Sequence, residues 1–210
     1  MYSINHEDPF LPTGHPLLSK VAEPVSLEEI YTEAFKRLIF EMKNLGNTEQ
    51  QHKTKFVLMG LAATQIGIMK RIILVDVGAD GKGEVSDLRA YINPKIISYS
   101  EEESTWYEGC YSLRGYAGII KRPDTVVITA LNEDGVEIKE THSGYVGRIF
   151  QHETDHLDGK MLVCRVHDHK NLHRITNDDM YEYRNKQKWR QWKNHASKDE
   201  YETLKKSLLP

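Results

Sequence analysis

The stretch Gln151-His152-Glu153-Thr154-Asp155-His156 restricts this chain more than any other, because two imidazoles four residues apart can share a partner when the backbone is helical. The intervening Glu153 is turned by about 100° from His152, beside whatever the histidines hold, where it can handle a proton. The flanking residues fit a helix. Tyr145, Ile149, His152 and His156 fall on one stripe, Val146, Phe150 and Leu157 on an adjoining apolar one, and Gly159 offers a left-handed stop. The spacing predicts a buried helix from about Gly144 to Asp158. A short H-E-x-x-H string also arises by chance on exposed helices. The motif supplies two ligands, whereas a catalytic zinc-type site has three protein ligands and one open position.

Only Cys110 and Cys164 are present, too few for a disulfide framework, so each is judged by its neighbours. Cys164 lies in the apolar run Met161 to Val166, which predicts a short strand with a buried thiol. Cys110 lies beside Gly109 and is the natural candidate for the third ligand. With 210 residues, 39% hydrophobic and 28% charged, the chain suits one domain with a sizeable core. A formal net charge of -3 excludes nucleic-acid binding through global charge, though not through a local patch. No apolar run reaches the length of a membrane span, and the start, Met1 to Asp8, is polar and acidic, so the expected address is cytoplasmic, without a membrane partner.

Pro9, Pro12, Pro16 and Pro24 give residues 1 to 25 the character of an extended arm. Ser26-Leu27-Glu28-Glu29 reads as a capping box, and Leu27, Ile30, Ala34, Leu38, Met42 and Leu45 predict a helix ending at Gly46. A loop is expected from Asn47 to Lys55. Strands are expected at Phe56 to Met59, Arg71 to Val77, Leu88 to Ile92, Ile96 to Ser100, Gly118 to Lys121, Thr125 to Leu131 and Val136 to Thr141, the last two joined through Asn132-Glu133-Asp134-Gly135. This order predicts an α+β fold: mostly antiparallel strands packed around a central metal-binding helix, with an N-terminal helix and a C-terminal helical tail. No composition shift marks a boundary before about residue 168, so the expected organisation is a domain over 1–167 and a polar, helical extension over 168–210.

A third segment, Met59-Gly60-Leu61-Ala62-Ala63-Thr64-Gln65, is unremarkable alone, since a turn packed against a core would explain it. Together with Glu108-Gly109-Cys110-Tyr111-Ser112 and the two-histidine helix, it resembles the three signature motifs of peptide deformylases. The resemblance continues through Ile92-Asn93-Pro94, Lys121-Arg122-Pro123 and Leu157-Asp158-Gly159, reaches back to His15-Pro16-Leu17-Leu18, and covers roughly residues 14 to 167. It implies a catalytic domain in which Cys110, His152 and His156 hold one divalent metal ion, physiologically Fe²⁺, with Zn²⁺ or Ni²⁺ as replacements. A metal so bound leaves a position for water and lowers its pKa to about 7. The resemblance assigns Glu153 the proton transfer, and the Gln65 side-chain amide with the Tyr111 backbone N–H the oxyanion. Glu108 and Arg122 match a structural pair. Met59, Gly60, Trp106, Tyr145 and Ile149 map to the pocket for the methionine side chain, with ordinary core packing the competing reading for the aromatic members. The implied activity removes the N-formyl group from N-formylmethionyl nascent peptides and releases formate.

Leu58 stands where the family usually has glycine, Tyr107 where an acidic residue is common, Tyr111 where the residue is aliphatic, Arg114 where proline is frequent, and Ala117 where many members carry arginine. These departures bear on specificity more than on chemistry. Two rivals follow: a metallopeptidase of the H-E-x-x-H kind, for which no further histidine or glutamate has a suitable context, and an idle homologue acting as a ribosome- or peptide-binding module. Six basic residues between Tyr183 and Lys198, interleaved with Trp189 and Trp192, suit a basic helix lying on ribosomal RNA. The other reading of that tail is an amphipathic helix whose tryptophans pack on their own domain. Formylated starts imply a bacterial or organellar setting, and the lack of a transit-like leader points to the bacterial one.

Overall fold

The structure, a computed structural model, describes residues 2, 4–5, 7–51 and 57–208. Helix α1, Leu27–Ile30, begins where Ser26 Oγ accepts from the Glu29 N–H at 3.2 Å, so the expected cap is formed. The helix does not then run unbroken. The chain turns at Tyr31, and α2 occupies Glu33–Gln51 after Thr32 Oγ1 accepts from the Phe35 N–H at 3.2 Å. Gly46, expected to stop the helix, lies inside it. A Cβ there would stand 2.5 Å from Leu88 Cδ2, so the missing side chain lets α2 press onto the sheet. Asn47 to Gln51 are therefore helical rather than loop, and the rest of that expected loop lies largely outside the described residues.

Among the described residues, eight strands form two antiparallel sheets. β1 is Gly60–Ala62, β2 Ile72–Asp76, β3 Leu88–Tyr99, β4 Glu103–Gly109, β5 Tyr116–Pro123, β6 Thr125–Leu131, β7 Glu137–Ser143 and β8 Leu172–Arg174. The first sheet has the order β1-β2-β3-β6-β7, the second β4-β5-β8. The strand expected at Phe56 to Met59 is absent over Val57 to Met59, Phe56 being outside the described residues, and pairing starts only at Gly60. The two strands expected around Asn93-Pro94 are one. Asn93 adopts φ 51°, the register shifts between Ile92 and Lys95, and the amide of Asn93 bonds both backbone groups of Val25 at 2.7 and 2.8 Å. A bulge thus absorbs a proline that periodicity reads as a break.

The strand expected at Met161 to Val166 is a 3₁₀ turn, Leu162–Arg165, closed by Cys164 N–H to Met161 O at 2.9 Å and Val166 N–H to Val163 O at 3.2 Å. Its apolar residues are buried without a ladder, because Leu18, Leu172, Tyr201 and Leu208 enclose them.

Helix α3, Gly144–Leu157, lies between the sheets. Ile149, Phe150 and Leu157 pack with Ile73, Val75 and Tyr91 of the larger sheet, while Arg148 and His152 bond to Glu108 of the smaller one. The central helix is buried because both faces are occupied. Gly159 follows it at φ 70°.

The tail is not one helix. After β8 it makes a single π-helical turn, Tyr181–Asn185, a 3₁₀ turn, Lys188–Gln191, and then helix α4, Lys198–Leu208. Gln187 at φ 51° bends the chain so that both Tyr183 and Trp189 are buried against Tyr107, which a straight helix would not permit. Tyr201 of α4 donates to Val166 O at 2.6 Å and docks the end of the tail. Among the described residues no helix is long and apolar enough to cross a membrane.

Candidate metal centre

Cys110 follows β4 directly, and α3 carries His152 and His156 one turn apart on the face turned to it. Cys110 Sγ is 3.1 Å from His156 Nε2, which is 3.2 Å from His152 Nε2, and all three atoms lie within 4.8 Å of one another. Atoms this close can share one cation. His152 Nδ1 is 2.9 Å from Glu108 Oε2; an ionised carboxylate only accepts, so the proton sits on Nδ1 and Nε2 is left as a ligand atom. Burial alone would push the Cys110 thiol up, but the charge of His156 and hydrogen bonds from both histidines hold it well below the usual thiol value. A thiolate with two imidazoles suits a borderline divalent cation of the first transition row, and such a cation would displace the proton the cluster otherwise shares.

Glu108 is the anchor of the site. Arg122 grips its carboxylate with two bonds of 2.7 and 2.9 Å, and Arg148 Nη1 adds a third at 2.7 Å. Arg122 also donates to Asp155 Oδ2 at 2.8 Å, and Arg165 Nε bonds the same oxygen at 2.9 Å. Burial would raise the Glu108 carboxyl, yet Arg122 and the hydrogen bonds hold it well below the ordinary range. The pair Glu108–Arg122 is legible in the sequence; Arg148 is not included in that reading. Its signal is an arginine among the apolar positions of a buried helix, which requires an acidic partner.

Glu153 is buried beside the cluster, and its Oε2 has no hydrogen-bond partner among the described residues. Burial pushes this carboxyl up to about 7 against the pull of His152 and His156. Gly60 makes room for it: a Cβ at that position would stand 2.5 Å from Glu153 Oε1 and 2.6 Å from Ile149 Cγ2. Gln65 is oriented by its own backbone neighbour. The Ala62 N–H donates to Gln65 Oε1 at 2.8 Å, which turns the amide NH₂ toward Cys110 Sγ and Ser112 Oγ, each at 3.4 Å. The Tyr111 side chain leaves the site, stacking on Phe10 at 4.3 Å and donating to Glu49 at 2.7 Å, while its backbone stays next to Cys110.

A cavity opens on this cluster. Met59, Gly60, Tyr145 and Ile149 line it, together with Leu58 and Tyr107. Trp106 does not line it. Alternation along β4 buries Tyr107 toward the cavity, and Trp106 packs instead on Trp189 at 5.2 Å. Met180 and Arg184 of the tail line it as well, and nothing in their sequence context signals this.

The family profile described as polypeptide deformylase matches residues 8–172. A peptide deformylase of Fusobacterium nucleatum subsp. nucleatum is 37% identical over 153 residues, covering 73% of this chain and 80% of that protein. Among solved structures, a class I type b peptide deformylase from Acinetobacter baumannii superimposes with TM-score 0.67 and 28% identity over 75% of this chain and 98% of its own. The same enzyme with Met-Ala-Ser bound gives TM-score 0.65 at 27% identity, over 75% of this chain and 97% of its own. With three ligand atoms converging between two antiparallel sheets, and with relatives matched over most of its length, the chain belongs to the polypeptide deformylase family.

Proposed function

We propose that the chain hydrolyses the formyl amide of peptides beginning with N-formylmethionine, with a divalent cation held by Cys110, His152 and His156. The observation that carries the reading is the convergence of those three ligand atoms within 4.8 Å of one another, beside a buried carboxylate with a partnerless oxygen. When bound, such a cation acts as a Lewis acid and lowers the pKa of water. Glu153 accepts the proton of the attacking water and returns it to the leaving nitrogen as the C–N bond breaks, giving formate and a free amine. The fixed NH₂ of Gln65 and the backbone N–H of Tyr111 are the donors for the oxyanion that develops on the formyl oxygen. Met59, Gly60, Tyr145 and Ile149 are the walls for the methionine side chain. The Met-Ala-Ser peptide carried by the Acinetobacter relative supports a substrate of this kind.

The cation proposed is Fe²⁺, with Zn²⁺ or Ni²⁺ accepted by the same donors. A cytoplasmic address follows from a substrate made during protein synthesis. Docking of the tail to ribosomes has as its support the exposed Lys186, Lys188, Arg190, Lys193 and Lys198. Salt-dependent pelleting with ribosomes, lost when these residues are neutralised, is the expected result. For the reaction, anaerobically purified protein is analysed for metal and given formyl-Met-Ala-Ser and acetyl-Met-Ala-Ser. Formate from the first alone, abolished in Glu153→Ala, is expected; no formate from metal-loaded wild type overturns the reading. Metal content unaffected by Cys110→Ser would overturn the ligand assignment.

A further inference from the structure

The cavity beside the metal cluster is walled partly by residues beyond the end of the family match at residue 172. Met180, 2% exposed, and Arg184, 6% exposed, line the same space as His152 and Glu153. They are held there firmly. Tyr183, between them in sequence, is fully buried, receives or gives a hydrogen bond of 2.8 Å at His173 Nδ1, and meets Tyr107 edge-on at 5.1 Å. On the opposite side Gly83 lets the loop after β2 approach, since a Cβ there would stand 3.3 Å from Arg184 Cζ. The departures at 107 and 117 belong to the same arrangement. Tyr107 and the fully buried Ala117 form one apolar cluster with Met180, Tyr183 and Trp189, so a long charged side chain at 117 would compete for the volume the tail occupies.

We infer that the segment from Met180 to Arg184 is a built-in wall of the substrate cavity, and that Met180 is a specificity-determining residue that limits the size of the first side chain the cavity admits. The inference deepens the deformylase reading and rests on it. A wall to which a thioether side chain contributes discriminates by volume, and each methylene of misfit in such a pocket changes selectivity roughly 10- to 200-fold.

The test compares kcat/KM for formyl-Phe-Ala-Ser and formyl-Met-Ala-Ser in metal-loaded wild type, Met180→Ala and Met180→Val, with thermal melts to verify folding. The expected result is a rise of about tenfold or more in the Phe/Met ratio for Met180→Ala, and a smaller rise for Met180→Val. A merely structural role would lower both substrates together and leave the ratio unmoved. An unchanged ratio in either folded variant overturns the inference. Wild type inactive on both substrates counts instead against the deformylase reading, so the two failures are distinguishable.

Discussion

Replacing Glu108 with glutamine tests how the site is held. The wild-type carboxylate receives four bonds: two from Arg122, one from Arg148 and one from His152 Nδ1, all from buried groups. The amide keeps the shape and one acceptor oxygen but points an NH₂ at donors and removes the charge that balances Arg148. Breaking a buried pair by removing one partner costs about 3–5 kcal/mol, because the other charge is left uncompensated. At ~2–4 °C per kcal/mol for a chain of this size, the melting temperature falls by roughly 6–20 °C. With the retained oxygen at the Oε1 position, where Arg122 Nε and Arg148 donate, the NH₂ replaces the acceptor for His152 Nδ1–H and frees that ring to rotate, which lowers metal affinity by about 10- to 100-fold. Urea unfolding of the metal-stripped proteins measures the first effect, and competition with a chelator the second. A second change, Arg148→Met, should restore much of the stability lost in Glu108→Gln by removing the stranded cation, but not the metal affinity. A loss below about 1 kcal/mol with unchanged metal affinity would refute the account of Glu108 as anchor.

Gly60→Ala should lower kcat sharply while the protein stays folded, since the new methyl overlaps Glu153 and Ile149 and overpacking costs about 1–3 kcal/mol; wild-type kinetics in a folded variant would remove the close-approach argument. Gln65→Ala should reduce kcat by about 10²- to 10³-fold with metal content unchanged, and an equal loss of bound metal would show a structural role instead. Burial holds the His173 imidazole down at about 4, well below its ordinary value. Its proton is taken up by the unfolded chain first, so this residue contributes no pH dependence above about 6.5 and lowers stability progressively as pH falls from there toward 4. Urea midpoints at pH 7 and pH 5 in wild type and His173→Gln measure this, and an equal pH slope in both would exclude His173 as the cause.

Periodicity made the central helix legible because its two faces carry different partners, apolar side chains on one and ligands on the other, and both write a 3.6-residue repeat into the sequence. The three motifs fixed the candidate ligands, because each is local and the helix places His152 and His156 in register without help from the rest of the fold. Elements whose form depends on distant packing were not legible. Gly46 reads as a stop until Leu88 is seen beside it, Asn93-Pro94 reads as a break until Val25 accepts and donates to the asparagine amide, and the apolar run around Cys164 reads as a strand until the tail encloses it.

By itself, then, the sequence determined which side chains are the candidates for holding a cation and handling a proton, and that strands surround one amphipathic helix. Only the tertiary structure decided that Arg148 shares Glu108 with Arg122 and His152, that Trp106 faces away while Tyr107 faces in, and that Met180 and Arg184 line the cavity. The physical reason is range. A helix or a turn is set by neighbours within a few residues, whereas the balance of a buried charge and the walls of a cavity are set by segments that meet only when the whole chain has packed.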